Sequence, residues 1–518
     1  MYSFNQEKQE MKIKSHLLFP IFIFAGILFI AVSVSAQQKP NVILIYADDL
    51  GYGDLSCYGA TKIKTPNIDK LAANGIRFTN GHTTSATCTP SRYGLITGRY
   101  PWRQQGTGVL PGDAALIIPT DKTTLATLFQ KSGYKTAVVG KWHLGLGTQV
   151  EKNWNKEISP GPNEVGFDYS FIFPATADRV PTVFLENHHV VGLDLKDTIA
   201  VNYKIKIGNE PTGRENPELL KMKSTHGHDF TIVNGIGRIG YMAGGKNARW
   251  NDEEVSLSFL IKSKLFIEEN KNQPFFLYFA LTEPHVPRMP ATIFKGKSGL
   301  GLRGDAILQL DWTVGEIVKQ LKFLGLEKNT IIIFTSDNGP VLDDGYDDGA
   351  VTQLNGHTPA GILKGGKYSV FEAGTRVPWI ISWPGNIMPG VSNALISQVD
   401  FTTTFARVLK QNITGGDAPD GEDIWNALSG KSKTGRRNLI EHAGTLAIIQ
   451  DNWKYIEPAN GQKLFKEVNI ESGLDTLPQL YDLKNDIEEK KNLADKYPQK
   501  VQELAKLLQR IKEDKKGE

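Results

Sequence analysis

The chain has 518 residues, 40% hydrophobic and 22% charged, with a formal net charge of +3 at pH 7. This is the composition of an ordinary soluble globular protein, long enough for one large domain plus a smaller one. One of the three positive charges belongs to residues 1–36, and the +2 left over is too weak and dispersed for nucleic acid or a membrane surface, though not for a local anion pocket.

At the N-terminus, Lys12 and Lys14 precede an apolar run over 17–31, followed by Val34-Ser35-Ala36. A basic segment, an apolar core and a small-residue site form a signal peptide over 1–36, cut after Ala36. Met11 is an alternative start, because the first ten residues do not resemble a basic leader. The apolar run is also long enough for an uncleaved anchor, but the well-formed cleavage site argues against one. The expectation is an exported protein, in the bacterial periplasm or secreted, with no membrane attachment once mature.

Short apolar runs then alternate with amphipathic stretches, which predicts an α/β fold around a largely parallel sheet. Buried strands are predicted over 41–46, 136–139, 275–280 and 330–334, and helices near 124–132, 253–269 and 305–323. Residues 180–249 are polar and Gly-rich, in the manner of substrate-facing loops. After about Asn412 the character changes. Strand-like pieces at 446–449 and 453–456 lead through Tyr481-Asp482-Leu483 to an amphipathic helix over 499–511. The predicted division is a catalytic α/β domain over 37–411 and a smaller α+β subdomain over 412–518.

Chemistry collects at the strand ends. The first strand runs into Asp48-Asp49 and the 330–334 strand into Asp337-Asn338-Gly339. Ligands of open α/β sheets sit beyond the carboxyl ends of the strands. Two acidic turns there need a cation between them, and an all-oxygen set suits Ca²⁺ or Mg²⁺ rather than zinc. Singly, each Asp reads as a turn or cap residue. Lys141 and His143, in GKWHLG, point to one side if the chain stays extended, pairing a cation with a titratable imidazole. His285 lies between two prolines that restrict its backbone. Lys367 follows Gly365-Gly366, which would let backbone approach a ligand closely.

The chain has two cysteines. In an exported protein, arithmetic alone pairs Cys57 with Cys88 in a disulfide. Around Cys88, however, Cys88-Thr89-Pro90-Ser91-Arg92 places Pro90 where it fits the first helical position, with Thr89 as its N-cap. Residue 88 then lies against the positive end of a helix, an anion site.

Taken together, PNVILIYADDLGYGDLSCYG, TPNIDKLAANGIRFTN, CTPSR, GKWHLG, EPHVP, TSDNGP and GGKYSVFEAGTRVP resemble, in order, the formylglycine-dependent type I sulfatases of the alkaline-phosphatase superfamily. The likeness runs from about Lys39 to beyond Asn492, and in organisation the chain resembles arylsulfatase A and N-acetylgalactosamine-6-sulfatase. It implies an alkaline-phosphatase-like mixed, mostly parallel sheet. It also implies that a sulfatase-maturing enzyme oxidises Cys88 to Cα-formylglycine, which leaves Cys57 as a free, buried thiol. Asp48, Asp49, Asp337 and Asn338, with residue 88, would bind one divalent cation, Ca²⁺ in preference to Mg²⁺. Arg92 would hold the formylglycine hydrate. Lys141 and Lys367 would bind sulfate oxygens, His285 would protonate the departing alkoxide, and His143 would assist release of sulfate from the covalent intermediate. Thr176 stands where many relatives place a serine. Asp178-Arg179 would meet the hydroxyls of a galacto-configured sugar, or else form a surface salt bridge or a loop turn. The implied activity is exo-acting hydrolysis of sulfated carbohydrates by a monomer or dimer. A formylglycine-dependent phosphodiesterase or phosphonate hydrolase, and a non-catalytic binder of sulfated glycans, are the alternatives.

Overall fold

The structure is a computed structural model describing residues 39–414 and 416–514. The signal segment expected at 1–36, with its cleavage site, lies outside the described residues. Among the described residues no helix is long and apolar enough to cross a membrane.

The four predicted strands are neighbours at the centre of a ten-stranded sheet. Its order is Gly390–Ser392, Ile76–Phe78, Trp379–Ser382, Thr330–Ser336, Asn41–Ala47, Phe275–Ala280, Lys135–Lys141, Tyr169–Phe173, Leu185–Glu186 and His189–Val190. The five strands from Thr330–Ser336 to Tyr169–Phe173 are parallel, and Trp379–Ser382 runs antiparallel beside them. Successive side chains of a strand face opposite sides, and here both sides are covered. Val42, Leu44 and Tyr46 pack into one core with Leu125, Phe129 and Phe405, from the helices Leu125–Lys131 and Phe401–Val408. Ile43, Ile45 and Ala47 pack into the other with Ile68, Phe259, Leu310 and Val314, from Pro66–Ala73, Val255–Glu269 and Gly301–Phe323. Burial on both faces explains the unbroken apolar reading of these strands. Each fully buried Ile or Leu contributes about 1.5–3 kcal/mol.

The C-terminal part forms a four-stranded antiparallel sheet, Asn438–His442, Leu446–Gln450, Trp453–Ile456 and Gln479–Asp482. The helix Pro498–Glu513 covers it, burying Leu504 and Leu508 against Leu439, Ile449 and Leu480. The segment 180–249 carries only short strands, yet buried polar groups fix it. Arg238, for example, is fully buried and donates to both carboxylate oxygens of Asp252.

Three local expectations are corrected. The helix begins at Cys88 itself and runs Cys88–Thr97, with Thr87 as N-cap, so Pro90 is its third residue. Thr89 does not cap it; its hydroxyl donates to the His143 carbonyl at 3.0 Å. Pro90 still costs no bond there, since the first four helical N–H groups have no intrahelical acceptor. Both cysteines are free, which excludes the disulfide, and Cys57 is half-buried rather than buried.

Candidate active site

Strand register sets the site. Ala47 lies opposite Ser336, Tyr46 opposite Ala280, and Ala280 opposite Gly140. Asp48-Asp49, Asp337-Asn338, His285 and Lys141 therefore leave the sheet along one rim. Gly140 has φ +123, and a Cβ there would lie 1.8 Å from the Ala280 carbonyl oxygen, so only glycine lets the strand turn out to present Lys141. The acidic turns interlock through backbone. Asp48 N–H donates to the Glu283 carbonyl at 3.1 Å, Asp337 N–H to the Ala47 carbonyl at 3.2 Å, and Asp49 N–H to Asp337 Oδ1 at 3.2 Å.

Buried cations face these carboxylates. Lys141 Nζ is 2.5 Å from Asp48 Oδ2, and Arg92 donates from Nε and Nη2 to Asp337 Oδ2 at 3.1 and 2.8 Å. Arg92 also donates to the Lys141 carbonyl and the Tyr278 hydroxyl, so its guanidinium is committed to holding Asp337. Burial and the Asp337 charge push the Asp48 carboxyl well above the usual range, against Lys141. Burial works the same way on Asp337, but Arg92 and Lys141 overcome it and hold that carboxyl at about 2.

The donor set fits a hard cation. Asn338 turns its amide N–H to Asp49 Oδ1 at 2.7 Å, leaving Asn338 Oδ1 buried without a partner, and Asp48 Oδ1 is orphaned in the same way. Unpaired buried oxygens among crowded carboxylates are costly unless a cation satisfies them. Asp48, Asp49 and His285 also bring ligand atoms within 4.8 Å of one another.

Cys88, fully buried at the first turn of its helix, is under the electrostatic influence of Lys141, Lys367, Asp337 and Asp48. Burial pushes its thiol up despite both lysines, which disfavours a thiolate nucleophile. The strand stops at Lys141 and His143 has φ +56, so the extended geometry expected for that pair is not formed. His143 Nε2–H donates to the Leu110 carbonyl at 2.9 Å, and buried Nδ1 has no partner. Burial, then Lys141 and Arg179, push this imidazole well below its ordinary range. His285 donates from Nδ1 to the Val286 carbonyl at 2.6 Å, which leaves Nε2 free, 3.8 Å from Asp49 Oδ2. Burial, then Lys367 and Lys141, lower it too.

Lys367 Nζ donates to Asp49 Oδ2 at 3.0 Å and to Asp344 Oδ2 at 2.7 Å. The glycines before it serve the protein's own packing: a Cβ at Gly366 would lie 2.5 Å from the Pro340 carbonyl oxygen. Asp344 went unread in the sequence, hidden in the acidic run Asp343-Asp344-Gly345-Tyr346-Asp347-Asp348. Beside this rim, Arg179 Nη1 donates to Thr176 Oγ1 at 2.5 Å and to Asp178 Oδ1 at 3.1 Å. Asp178 is 2% exposed, which excludes the surface salt bridge. His228 Nε2 lies 2.8 Å from Asp178 Oδ2, brought there by the 180–249 segment, and no spacing in the sequence signals it. Burial opposes ionisation of Asp178, but Arg179 and His228 hold its carboxyl well below the usual range.

The comparisons agree with this arrangement. The Sulfatase family profile matches residues 40–411. An N-acetylgalactosamine-6-O-sulfatase of Bacteroides thetaiotaomicron is 54% identical over 478 residues, spanning 92% of this chain and 94% of its own. Arylsulfatase A of Homo sapiens is 31% identical over 423 residues, 80% of this chain and 72% of its own. A solved Bacteroides thetaiotaomicron chain, described under the metabolism of multiple glycosaminoglycans as a 6S-sulf, superposes with a TM-score of 0.91 at 54% identity, covering 92% of this chain and 99% of that one. Sheet order, rim chemistry and these likenesses lead to one conclusion: the chain belongs to the sulfatase family, with its alkaline-phosphatase-like fold, and is a sulfuric ester hydrolase.

Proposed function

We propose that this protein is an exo-acting glycan sulfatase that removes the 6-O-sulfate of N-acetylgalactosamine or galactose after export to the periplasm. The observation that carries the chemistry is position 88, at a helix N-terminus among Lys141, Lys367, Asp48 and Asp337. The sugar is carried over from the 54%-identical relative. Residues 37–411 would house the reaction and 412–518 would brace it.

Cys88 oxidised to formylglycine by a maturing enzyme would supply a hydrated aldehyde as nucleophile, and a hard cation, Ca²⁺ before Mg²⁺, would polarise the sulfate. Asp48, Asp49, Asp337 and Asn338 would hold that cation, with Arg92 fixing Asp337 from behind and beside position 88. Lys141 is bonded to one carboxylate and Lys367 to two, and each can share its remaining N–H with sulfate oxygens, neutralising charge in a dry site where such pairing is strongest. His285 Nε2, the ring nitrogen left open by the Val286 bond, would gain a proton once bound sulfate offsets the charges of Lys141 and Lys367, and would pass it to the leaving sugar oxygen, a contribution of roughly 10²–10⁴-fold. His143 Nδ1, buried without a partner, would take a proton during release of sulfate. Thr176 orients Arg179, and Asp178-Arg179 would read sugar hydroxyls, as buried charged hydrogen-bonding groups discriminate strongly against substrates that leave them unpaired.

The test is sulfate release by the matured full-length protein from N-acetylgalactosamine 6-sulfate, its 4-sulfate, and glucosamine 6-sulfate. Preference for the first supports the reading. Preference for the gluco-configured sugar, or no release from any of the three, overturns it.

A further inference from the structure

Tyr368, immediately after Lys367, has φ +73. A bulky side chain enters this left-handed region only when its surroundings over-determine the backbone. They do so here. Lys367 N–H donates to the Pro340 carbonyl, Tyr368 N–H to the Ala86 carbonyl, and Val370 N–H to the Ser472 carbonyl, each at 2.9 Å. Glycine or asparagine would serve such a turn without strain. A tyrosine held in this conformation next to Lys367 draws attention to where its side chain goes.

That place is the mouth of the site. The phenol donates to Asp344 Oδ1 at 3.0 Å, and the other oxygen of Asp344 takes Lys367 Nζ. Lys367 Nζ stands 5.4 Å from the ring centroid. The Ala86 carbonyl that anchors the Tyr368 backbone lies two residues before Cys88. The residue is half-buried with its polar tip fixed on Asp344, and it interacts electrostatically with Cys88.

We propose that Tyr368 is a specificity-determining substrate contact, an aromatic surface against which the sulfated sugar ring lies. This rests on the galacto-configured 6-sulfate reading above. In a 6-sulfated hexose the ring carbon C5 is three bonds from sulfur, so a sulfate held by Lys367 brings the sugar ring over its neighbour. A galacto-configured ring has an axial 4-hydroxyl, which leaves the C–H groups of C3, C4 and C5 together on one face. That apolar face matches an aromatic ring by dispersion and water exclusion. Aromatic side chains with a few fixed polar groups are the usual lining of such pockets.

The test compares Tyr368→Leu, Tyr368→Asn and Tyr368→Phe in the matured full-length enzyme on N-acetylgalactosamine 6-sulfate, with inhibition by inorganic sulfate as the readout of the anion pocket. Leu and Asn should raise KM about tenfold or more while sulfate inhibition stays within about twofold, and Phe should recover most of the loss. Asn adopts the left-handed backbone readily, so it decides the matter if Leu does not fold. A KM within about twofold of wild type in the ring-free variants overturns the proposal. So does parallel loss of sulfate inhibition, which would mean Tyr368 acts only through Lys367. Phe as damaged as Leu overturns it as well, because the hydroxyl and not the ring would then matter. A wild type active only on another sulfated sugar defeats the reading above, and the same KM comparison on that sugar still decides the role of Tyr368.

Discussion

Lys454 offers the sharpest test of how the C-terminal sheet supports the site. Its ammonium is fully buried, 3.0 Å from Glu372, 2.8 Å from Glu441 and 3.2 Å from Glu489, all likewise fully buried. Glu489 Oε2 accepts the Glu372 N–H at 2.7 Å, which ties the C-terminal part to the chain a few residues beyond Lys367. Arg376 pairs with Glu372, while His82 Nδ1, 3.0 Å away, and Thr375 face Glu441. Lys454→Met leaves the carboxylates without their shared cation. Removing one partner of a buried ion pair costs about 3–5 kcal/mol, and with three carboxylates exposed to one another the upper end applies. Burial, then the charges of Glu372 and Glu441, raise Glu489 to about 8 despite Lys454. Because that folded value lies above the unfolded one, Glu489 contributes stability that is full below about pH 4.5 and lost as pH rises through about 8. Glu372 runs the other way. Burial opposes its ionisation, but Lys454 leads a set of cations that holds it at about 2, so its contribution is present above about pH 4.5 and is lost as pH falls through about 2. Without Lys454 all three carboxyls rise, so the deficit of the variant is greatest at alkaline pH and shrinks towards pH 5. Urea unfolding of wild type and Lys454→Met at pH 5, 7 and 8.5 measures it. A deficit under about 1 kcal/mol at pH 8.5, or one that grows towards pH 5, refutes the reasoning.

Four further outcomes follow from the site. Cys88→Ala should abolish turnover with the fold intact, and the wild-type peptide holding residue 88 should weigh less than its thiol form by mass spectrometry. Chelation should reduce activity and lower the melting temperature, and Ca²⁺ at a hundred times its Kd should restore about 2.7 kcal/mol; a melting curve indifferent to both contradicts the four-residue cation site. His285→Ala should cost roughly 10²–10⁴-fold on a sugar sulfate but far less on an aryl sulfate, whose phenoxide leaves unprotonated; equal losses reject it as leaving-group acid. Asp178→Ala and Arg179→Ala should cripple turnover of galacto-configured sulfates and spare a simple aryl sulfate, and equal losses on the two substrate types reject the pair as a sugar-hydroxyl reader.

The central sheet was legible because strands buried on both faces must be apolar throughout, as NVILIY, FFLYFA and TIIIF are. The outer strands Ile76–Phe78 and Trp379–Ser382 were too short to stand out from the loops around them. Asp48, Asp337 and Lys141 were legible for a related reason: parallel strands deliver their ends to one rim, so chemistry after each strand converges. Asp344, His228 and Tyr368 lie in loops whose closure depends on contacts far along the chain, with Lys367, Asp178 and Ala86 in turn. Their residue types are common in solvated turns, and nothing local marks them. The helix start was misread because Thr89 and Pro90 satisfy capping preferences as well as Thr87 does, and the Thr89 hydroxyl is instead engaged by the distant His143 carbonyl, which nothing local signals.

The charges of the site also separate a sulfate monoester from a phosphate monoester. With all four carboxyls ionised, as cation binding demands of Asp48, the buried Asp48, Asp49, Asp337 and Asp344 carry one negative charge more than Lys141, Lys367 and Arg92 balance. Such a pocket repels any anion until a divalent cation makes it net positive by one. A sulfate monoester carries one negative charge and neutralises it. A phosphate monoester near neutral pH carries close to two, and the uncompensated charge would be buried where the effective dielectric is low and a net charge is costly. The second carboxylate on Lys367, Asp344, creates this balance. Asp344→Asn, which removes one negative charge while keeping the shape, should therefore narrow the preference of the enzyme for aryl sulfate over aryl phosphate. An unchanged ratio of the two kcat/KM values would show that charge balance does not set that choice.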